Sequence, residues 1–353
     1  MSVDKQFSKG LMWCHDEKEK KRCPLCKSLD TKKHGFLNSK ILTVRGIQKR
    51  KIQRFLCKNC QKSFTSKGYN KRQKTSEHLK NKAVKDFVHT KNSLQEVGDR
   101  YDVSKTSILN WLNKKAKLFP DHFDPISEFD DILLIDGKVI KLKGKKKVLL
   151  ICKTFFSKQI AFYNIYDSEN IVSSIDFLSK IKELYNQSHI QGIVSDFGSG
   201  KCFLKTVKKI FPCVPHQICN VHFMRYVWLF LPRTKKSKYY KQNNKLKELI
   251  KEILYAPNRL ISINNLNYLN SLSDNFKMSY QKKFIRSINK NYDYLTRHYE
   301  HSFLPKTTNT IENYNRQLER KFKNLDGFKS ENNLKSFLKI RINNNKILKN
   351  RHS

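Results

Sequence analysis

Two aspartates, one glutamate and two cysteine pairs carry the chemistry that can be read from this sequence. Ile132, Leu133, Leu134 and Ile135 form a short apolar run of the kind a doubly covered strand shows, and the run stops at Asp136-Gly137. Gly192-Ile193-Val194-Ser195 runs in the same way into Asp196. One Asp-Gly alone reads as a strand-ending turn. Two such strands in a very basic chain read as a metal site, because a carboxylate at the mouth of a buried strand is costly unless a cation compensates it. The third acid, Glu312, lies in the first turn of a helix signalled over residues 307–328. Ile311, Leu318, Phe322 and Leu325 form its apolar stripe, with Tyr314 beside it and Arg316 one turn beyond Glu312. Helix physics leaves Glu312 two roles, since Asn309-x-x-Glu312 also fits a capping box in which the glutamate only bonds backbone N–H groups.

The paired cysteines are Cys23-Pro-Leu-Cys26 and Cys57-Lys-Asn-Cys60. Each C-x-x-C can place two thiolates on one tetrahedral Zn²⁺, and two such knuckles close a structural site, although the gap between them is longer than usual. A zinc ribbon over residues 1–70 is expected, too small to fold on an apolar core and so dependent on its metal. Nine cysteines in a chain of 353 residues do not read as a disulfide framework. Cys213, His216, Cys219 and His222 recur at every third residue, which fits either a further metal site or core packing in a strand.

The formal charge of +42 points to a polyanionic partner, and nucleic acid is the natural one. The first residues lack a signal-peptide core, and the greasiest run, residues 226–231, is far too short to span a bilayer. The expectation is a soluble cytoplasmic protein with reduced thiols and no membrane partner, associated with the nucleoid of a prokaryote.

Around the acids the elements fall into order. Residues 75–89 have helical periodicity. Residues 93–114 then read as a helix-turn-helix, with Gly98 allowing close packing and Ser104 capping the second helix. Lys105, Thr106, Ser107 and Asn110 would there face a major groove. Residues 120–125 read as a linker opening an acidic island of Asp121, Asp124, Glu128, Asp130, Asp131 and Asp136. Beyond Asp136 come a hairpin (147–155 and 159–166), an amphipathic helix (171–185), the strand into Asp196, a helix (202–210) and a short strand (216–219). Three meandering strands, helix, strand, helix, strand is the order of an RNase H-like sheet. Residues 223–305 read as an all-helical insertion, and residues 329–353 as a basic amphipathic tail. The expected fold is therefore α/β: an RNase H-like catalytic domain over 126–353, preceded by the zinc ribbon over 1–70 and the helix-turn-helix domain over 71–120.

The strand into Asp136-Gly, the strand into Ser195-Asp196, and Thr308-Asn309-x-Ile311-Glu312 followed by Arg316 resemble the catalytic blocks of DDE transposases. Gln217-x-Cys219-x-x-His222, between the second and third acids, narrows the resemblance to the Mutator-like insertion-sequence group, which also carries a helical insertion before its glutamate. Cys213-x-x-His216 is a departure from the pattern.

The resemblance implies that Asp136, Asp196 and Glu312 are catalytic and hold two Mg²⁺ (or Mn²⁺) ions for in-line phosphoryl transfer, Asp136 bridging both. Water would free a 3′-OH at the element's end, and that 3′-OH would attack target DNA. It further implies double-stranded DNA, both transposon ends and target, as partner, a homo-oligomer on that DNA, Arg316 among the DNA contacts, and a structural role for Cys219 and His222. A transcription regulator would leave the acids without purpose, and an RNase H-like nuclease would cut without joining.

Overall fold

The computed structural model describes residues 21–65, 74–119, 131–185, 189–197, 202–231, 237–325 and 327–349, with side chains to 343. The expected linker and Asp121, Asp124, Glu128 and Asp130 lie outside the described residues. The chain forms two compact units, Met1–Val84 and Lys85–Ser353.

The first unit is built on an antiparallel sheet in the order β1 (Thr31–Thr43), β2 (Gly46–Cys57), β3 (Ser63–Thr65). Thr43 pairs with Gly46 across a two-residue turn, and Gly46 takes a positive φ of 93° there. The knuckles sit at the far end of the hairpin, where Thr31 pairs with Cys57. Each knuckle is followed by a residue in the left-handed region, Lys27 and Gln61, which turns the chain back on itself. Of the ribbon's described apolar side chains only Cys23, Ile41 and Cys57 are buried, so little but the cysteines can hold it together. Helix α1 (Glu77–His89) straddles the boundary between the units.

The second unit opens with α2 (Leu94–Tyr101) and α3 (Lys105–Ala116). Ser93 and Glu96 form a capping box on α2, and Ser104 caps α3 by accepting the Ser107 N–H. The turn between the helices is tight enough that a Cβ on Gly98 would stand 2.7 Å from the Val103 carbonyl oxygen, so only glycine fits. The described part of the expected basic amphipathic tail is helical. Helix α11 (Glu331–Lys349) buries Leu334, Phe337, Leu338, Ile340 and Ile342 and packs against α3. Its buried Arg341 donates to the Val88 carbonyl at 2.7 Å, and Asn113 of α3 donates to Asn333 at 2.9 Å.

The second sheet contains β4 (Asp131–Leu142), β5 (Lys145–Thr154), β6 (Ile160–Tyr166), β7 (Ile190–Ser195) and β8 (His216–Ile218), in the spatial order β6-β5-β4-β7-β8. The first three meander antiparallel; β7 and β8 run parallel to β4. Helices α4 (Ile171–Leu184) and α5 (Cys202–Ile210) follow β6 and β7. Phe177, Ile181, Phe203 and Phe211 of this region pack with Leu133, Ile135, Leu150 and Ile193 of the sheet. Asp131, from the expected acidic island, is structural: it accepts N–H groups of Phe156 and Ser157 and ties β4 to the β5–β6 turn.

One expectation needs correction. Strand β4 does not stop at Asp136-Gly137 but runs on to Leu142, because β5 continues to pair with it through Asp136↔Ile151 and Gly137↔Leu150. What ends at this point is the pairing with β7, whose last rung is Ile135↔Ser195. Asp136 and Asp196 each follow a residue of that rung, so the two acids emerge side by side from adjacent strands.

The expected insertion consists of α6 (Asn220–Phe230), α7 (Tyr240–Leu254), α8 (Arg259–Ser271) and α9 (Ser279–Thr296). These helices share a core of Phe223, Val227, Ile250, Ile253, Phe284, Ile288 and Leu295, which Phe197 and Ile218 join from the sheet region. Gln217 fastens it, donating to the Leu295 carbonyl at 2.9 Å while its own oxygen accepts the His298 N–H at 3.0 Å. The chain then returns as α10 (Asn309–Asn324), which packs on β4. Among the described residues no helix is long and apolar enough to cross a membrane.

Candidate active site

Asp136 and Glu312 line one cleft of about 370 Å³ together with His222, Arg225, Asn315 and Arg316. Asn315, one turn after Glu312 on α10, donates to Asp136 Oδ2 at 2.8 Å and so fixes the helix against the strand. Burial pushes the Asp136 carboxyl above its ordinary range; His222 and the Asn315 bond oppose that, and Glu312 adds to it. Asp196 is pushed up further, by burial first and then by Glu169 and Asp136. Its Oδ1 is buried with no hydrogen-bond partner among the described residues.

Glu312 is not a capping residue. The N-cap of α10 is Thr308, which makes no side-chain cap bond, and the Glu312 carboxylate instead accepts from Arg225 at 2.5 Å, with Arg316 at 3.6 Å. Burial works against its charge, but Arg225, His222 and Arg316 outweigh it and hold the carboxyl below the usual range. Arg316 itself is exposed, at 57% of its side-chain surface.

Cys219 and His222 bracket the start of α6 and hold the start of α10. Cys219 Sγ accepts the Thr308 N–H at 3.4 Å, His222 Nδ1 shares a hydrogen bond with Thr308 Oγ1 at 3.4 Å, and Asn220 N–H donates to the Lys306 carbonyl at 3.0 Å. Burial disfavours both charges, yet each is stabilised by the other: the Cys219 thiol falls below its ordinary value and His222 rises to about 9, helped by Asp136 and Asp196. His222 is thus a half-buried cation beside the two aspartates. His216 points elsewhere, bonding Ser195 Oγ at 2.8 Å, and burial lowers it to about 3. Cys213 is exposed.

Cys23, Cys26, Cys57 and Cys60 do converge, with ligating atoms all within 4.8 Å of one another. The Cys23–Cys60 and Cys26–Cys57 sulfurs lie 3.7 and 3.4 Å apart, close to the ~3.8 Å edge of a tetrahedron of Zn–S bonds of about 2.3 Å. Among the described residues no other group of three His, Cys, Asp or Glu closes to that distance. Neither the Cys213–His222 series nor the acids form such a group.

On α3, Lys105, Thr106 and Asn110 are exposed, while Ser107 is half-buried and its hydroxyl is engaged with that of Ser104 at 2.9 Å. Sequence reading missed Asn315, Arg225 and Glu169. The first two carried a signal, each lying three residues beyond a singled-out residue (Glu312, His222) on the same helix face.

No curated protein matches the chain. Among solved structures, a chain from the cryo-EM structure of the simian T-cell lymphotropic virus intasome in complex with PP2A regulatory subunit B56 gamma matches at 13% identity and a TM-score of 0.22. The match covers 57% of this chain and 64% of that one, less than two-thirds of its length, and so slight a likeness carries no argument. The sequence profile described as "Transposase, Mutator family" matches residues 71–346, most of the chain including every element of the acidic cleft, and the protein belongs to the Mutator family of transposases.

Proposed function

We propose that the chain is a DDE transposase that binds the double-stranded ends of its element, cleaves them and joins them to target DNA, with an RNase H-like sheet as its catalytic core. The observation that carries this reading is the meeting of Asp136, Asp196 and the Glu312 helix at the end of the β4–β7 pairing, with a buried, unpartnered carboxylate oxygen on Asp196. Hard oxygen donors whose carboxyls are raised by burial and mutual repulsion fit Mg²⁺ or Mn²⁺. Asp136, Asp196 and Glu312 would hold such ions, which supply activation of the attacking oxygen and stabilisation of the leaving one. The chain's own residues prepare that chemistry. Asn315 orients Asp136, the Cys219–His222 pair anchors Thr308 and hence the first turn of α10, and the basic groups Arg225, Arg316 and Lys138 at the cleft suit phosphates. The cysteine quartet suits a structural Zn²⁺.

The test is incubation of the purified protein with duplexes bearing the element's ends, a target plasmid and Mg²⁺. Free 3′-OH ends and then joined product are expected. Cutting without joining, even from pre-nicked ends, would leave a nuclease; specific binding without cutting would leave a regulator.

End reading is assigned to α3 and its exposed Lys105, Thr106 and Asn110. Asn110→Ala should cost about 1–3 kcal/mol on the element's own ends and little on scrambled duplex. A paired titration over a salt series checks it. Equal losses on both duplexes, with the log–log salt slope flattened by about 0.9 per contact, would reduce α3 to one more basic surface.

A further inference from the structure

The three acids of the proposed site are joined by a fourth that no sequence motif marks. Glu169 lies between β6 and α4, just before the α4 N-cap Asn170. A Cβ built on Gly137 would stand 2.9 Å from Glu169 Oε2, so this carboxylate lies against the backbone of the residue following Asp136. Its Oε1 is buried and has no hydrogen-bond partner among the described residues, as is true of Asp196 Oδ1. Asp196 feels Glu169 more strongly than it feels Asp136.

A purely structural role leaves this arrangement unexplained. The cap of α4 is already made by Asn170, which accepts the Ser173 N–H at 2.9 Å, so the helix does not need Glu169. Among the described residues, the charges that act on Glu169 are Asp136 and Asp196, which repel it, and the cation His222. Arg225 and Arg316 are committed to Glu312 instead. Among the described residues three carboxylates thus face one imidazolium, and two of them carry a buried oxygen with no hydrogen-bond partner. That deficit is what a divalent cation would fill.

We propose that Glu169 is a fourth metal-ligating carboxylate, serving with Asp136 and Asp196 a cation on the side of the cleft away from the arginine-held Glu312. This rests on the reading of the cleft as a metal site. Gly137 is then required beside Asp136 because any side chain there would displace the Glu169 carboxylate.

The experiment titrates Mn²⁺ into the full-length wild type and into Glu169→Gln, Glu169→Asp and Asp136→Asn by calorimetry, with the EPR signal of bound Mn²⁺ as second readout. Glu169→Gln should weaken Mn²⁺ binding by at least about 10–100-fold, the range seen when even a ligand's supporting partner is lost, and should raise the Mg²⁺ needed for cleavage by a similar factor. Glu169→Asp, keeping the charge on a shorter stem, should lose less. Without metal, Glu169→Gln should melt no lower than wild type, since it removes repulsion; lower melting would assign Glu169 a structural role and overturn the proposal. Wild-type Mn²⁺ affinity and EPR signal in Glu169→Gln, with Asp136→Asn impaired, would overturn the Glu169 assignment alone. Wild-type affinity in Asp136→Asn would bring down the metal-site reading itself.

Discussion

Replacing Asp136 or Asp196 by Asn, or Glu312 by Gln, is expected to lower DNA cleavage by about 10³-fold or more, since several kcal/mol of charge stabilisation at about 1.4 kcal/mol per decade is withdrawn. Binding to the ends should persist, because the exposed face of α3 is untouched. The sign of the stability change is a second signature. Burial raises the Asp136 and Asp196 carboxyls, so the metal-free folded state holds protons that the unfolded chain has lost at neutral pH. Metal-free stability should therefore rise as pH falls from neutral toward the ordinary carboxylate range near 4, and Asp196→Asn should flatten that rise. Glu312 should behave oppositely: its carboxyl is held low by Arg225, so Glu312→Gln should remove stability present above the ordinary range. Melting curves with and without Mg²⁺ across pH 4–8 check both signs. A variant that cuts at wild-type rate would remove its residue from the site.

Zinc removal, or Cys57→Ser, is expected to unfold the β1–β3 ribbon. Structural zinc in finger peptides is worth on the order of 10 kcal/mol at neutral pH, and the three buried apolar side chains among the ribbon's described residues, two of them cysteines, supply nothing comparable. One zinc per chain should be measurable in the full-length protein. The thiols do not titrate alike: backbone N–H groups, foremost that of Cys26, bring Cys23 down to about 7, whereas Cys60 stands at about 12 despite its bond to the Lys62 backbone, because burial and its three cysteine neighbours raise it. Zinc must displace these protons, so its affinity should fall as pH drops through about 7, and amide exchange in Thr31–Thr43 and Gly46–Cys57 should quicken in parallel. A ribbon that keeps slow exchange in excess chelator would refute the metal's role.

Much of this architecture is legible along the chain because its signals are local. The apolar runs, the Ser104 cap and the stripe of α10 each sit within one element, and those elements form where periodicity puts them. The misreading at Asp136 has a clear origin. Whether a strand ends at a given residue depends on which neighbour is asked, and here β5 continues while β7 stops. The role of Glu312 was undecidable from its helix alone, since the choice was made by Arg225, 87 residues away in sequence. Glu169 was invisible for the same reason: between Ser168 and Asn170 it has the look of any solvated turn, and only the fold carries it to the flank of Gly137.

The packing of α11 on α3 bears on how such an element can change its targets. Lys321 of α10 lies over the Phe87 ring and bonds the Asn92 carbonyl, Asn324 bonds that of Lys91, and Phe337 of α11 packs on Phe87. The helices proposed to read DNA are thus braced by the one that carries Glu312 and by α11. Exchanging that reader for another by recombination at residue 120 would strand an apolar face on each side of the cut. If α3 reads the ends as proposed, new specificity is open mainly through point changes on its exposed side, a slow and local route.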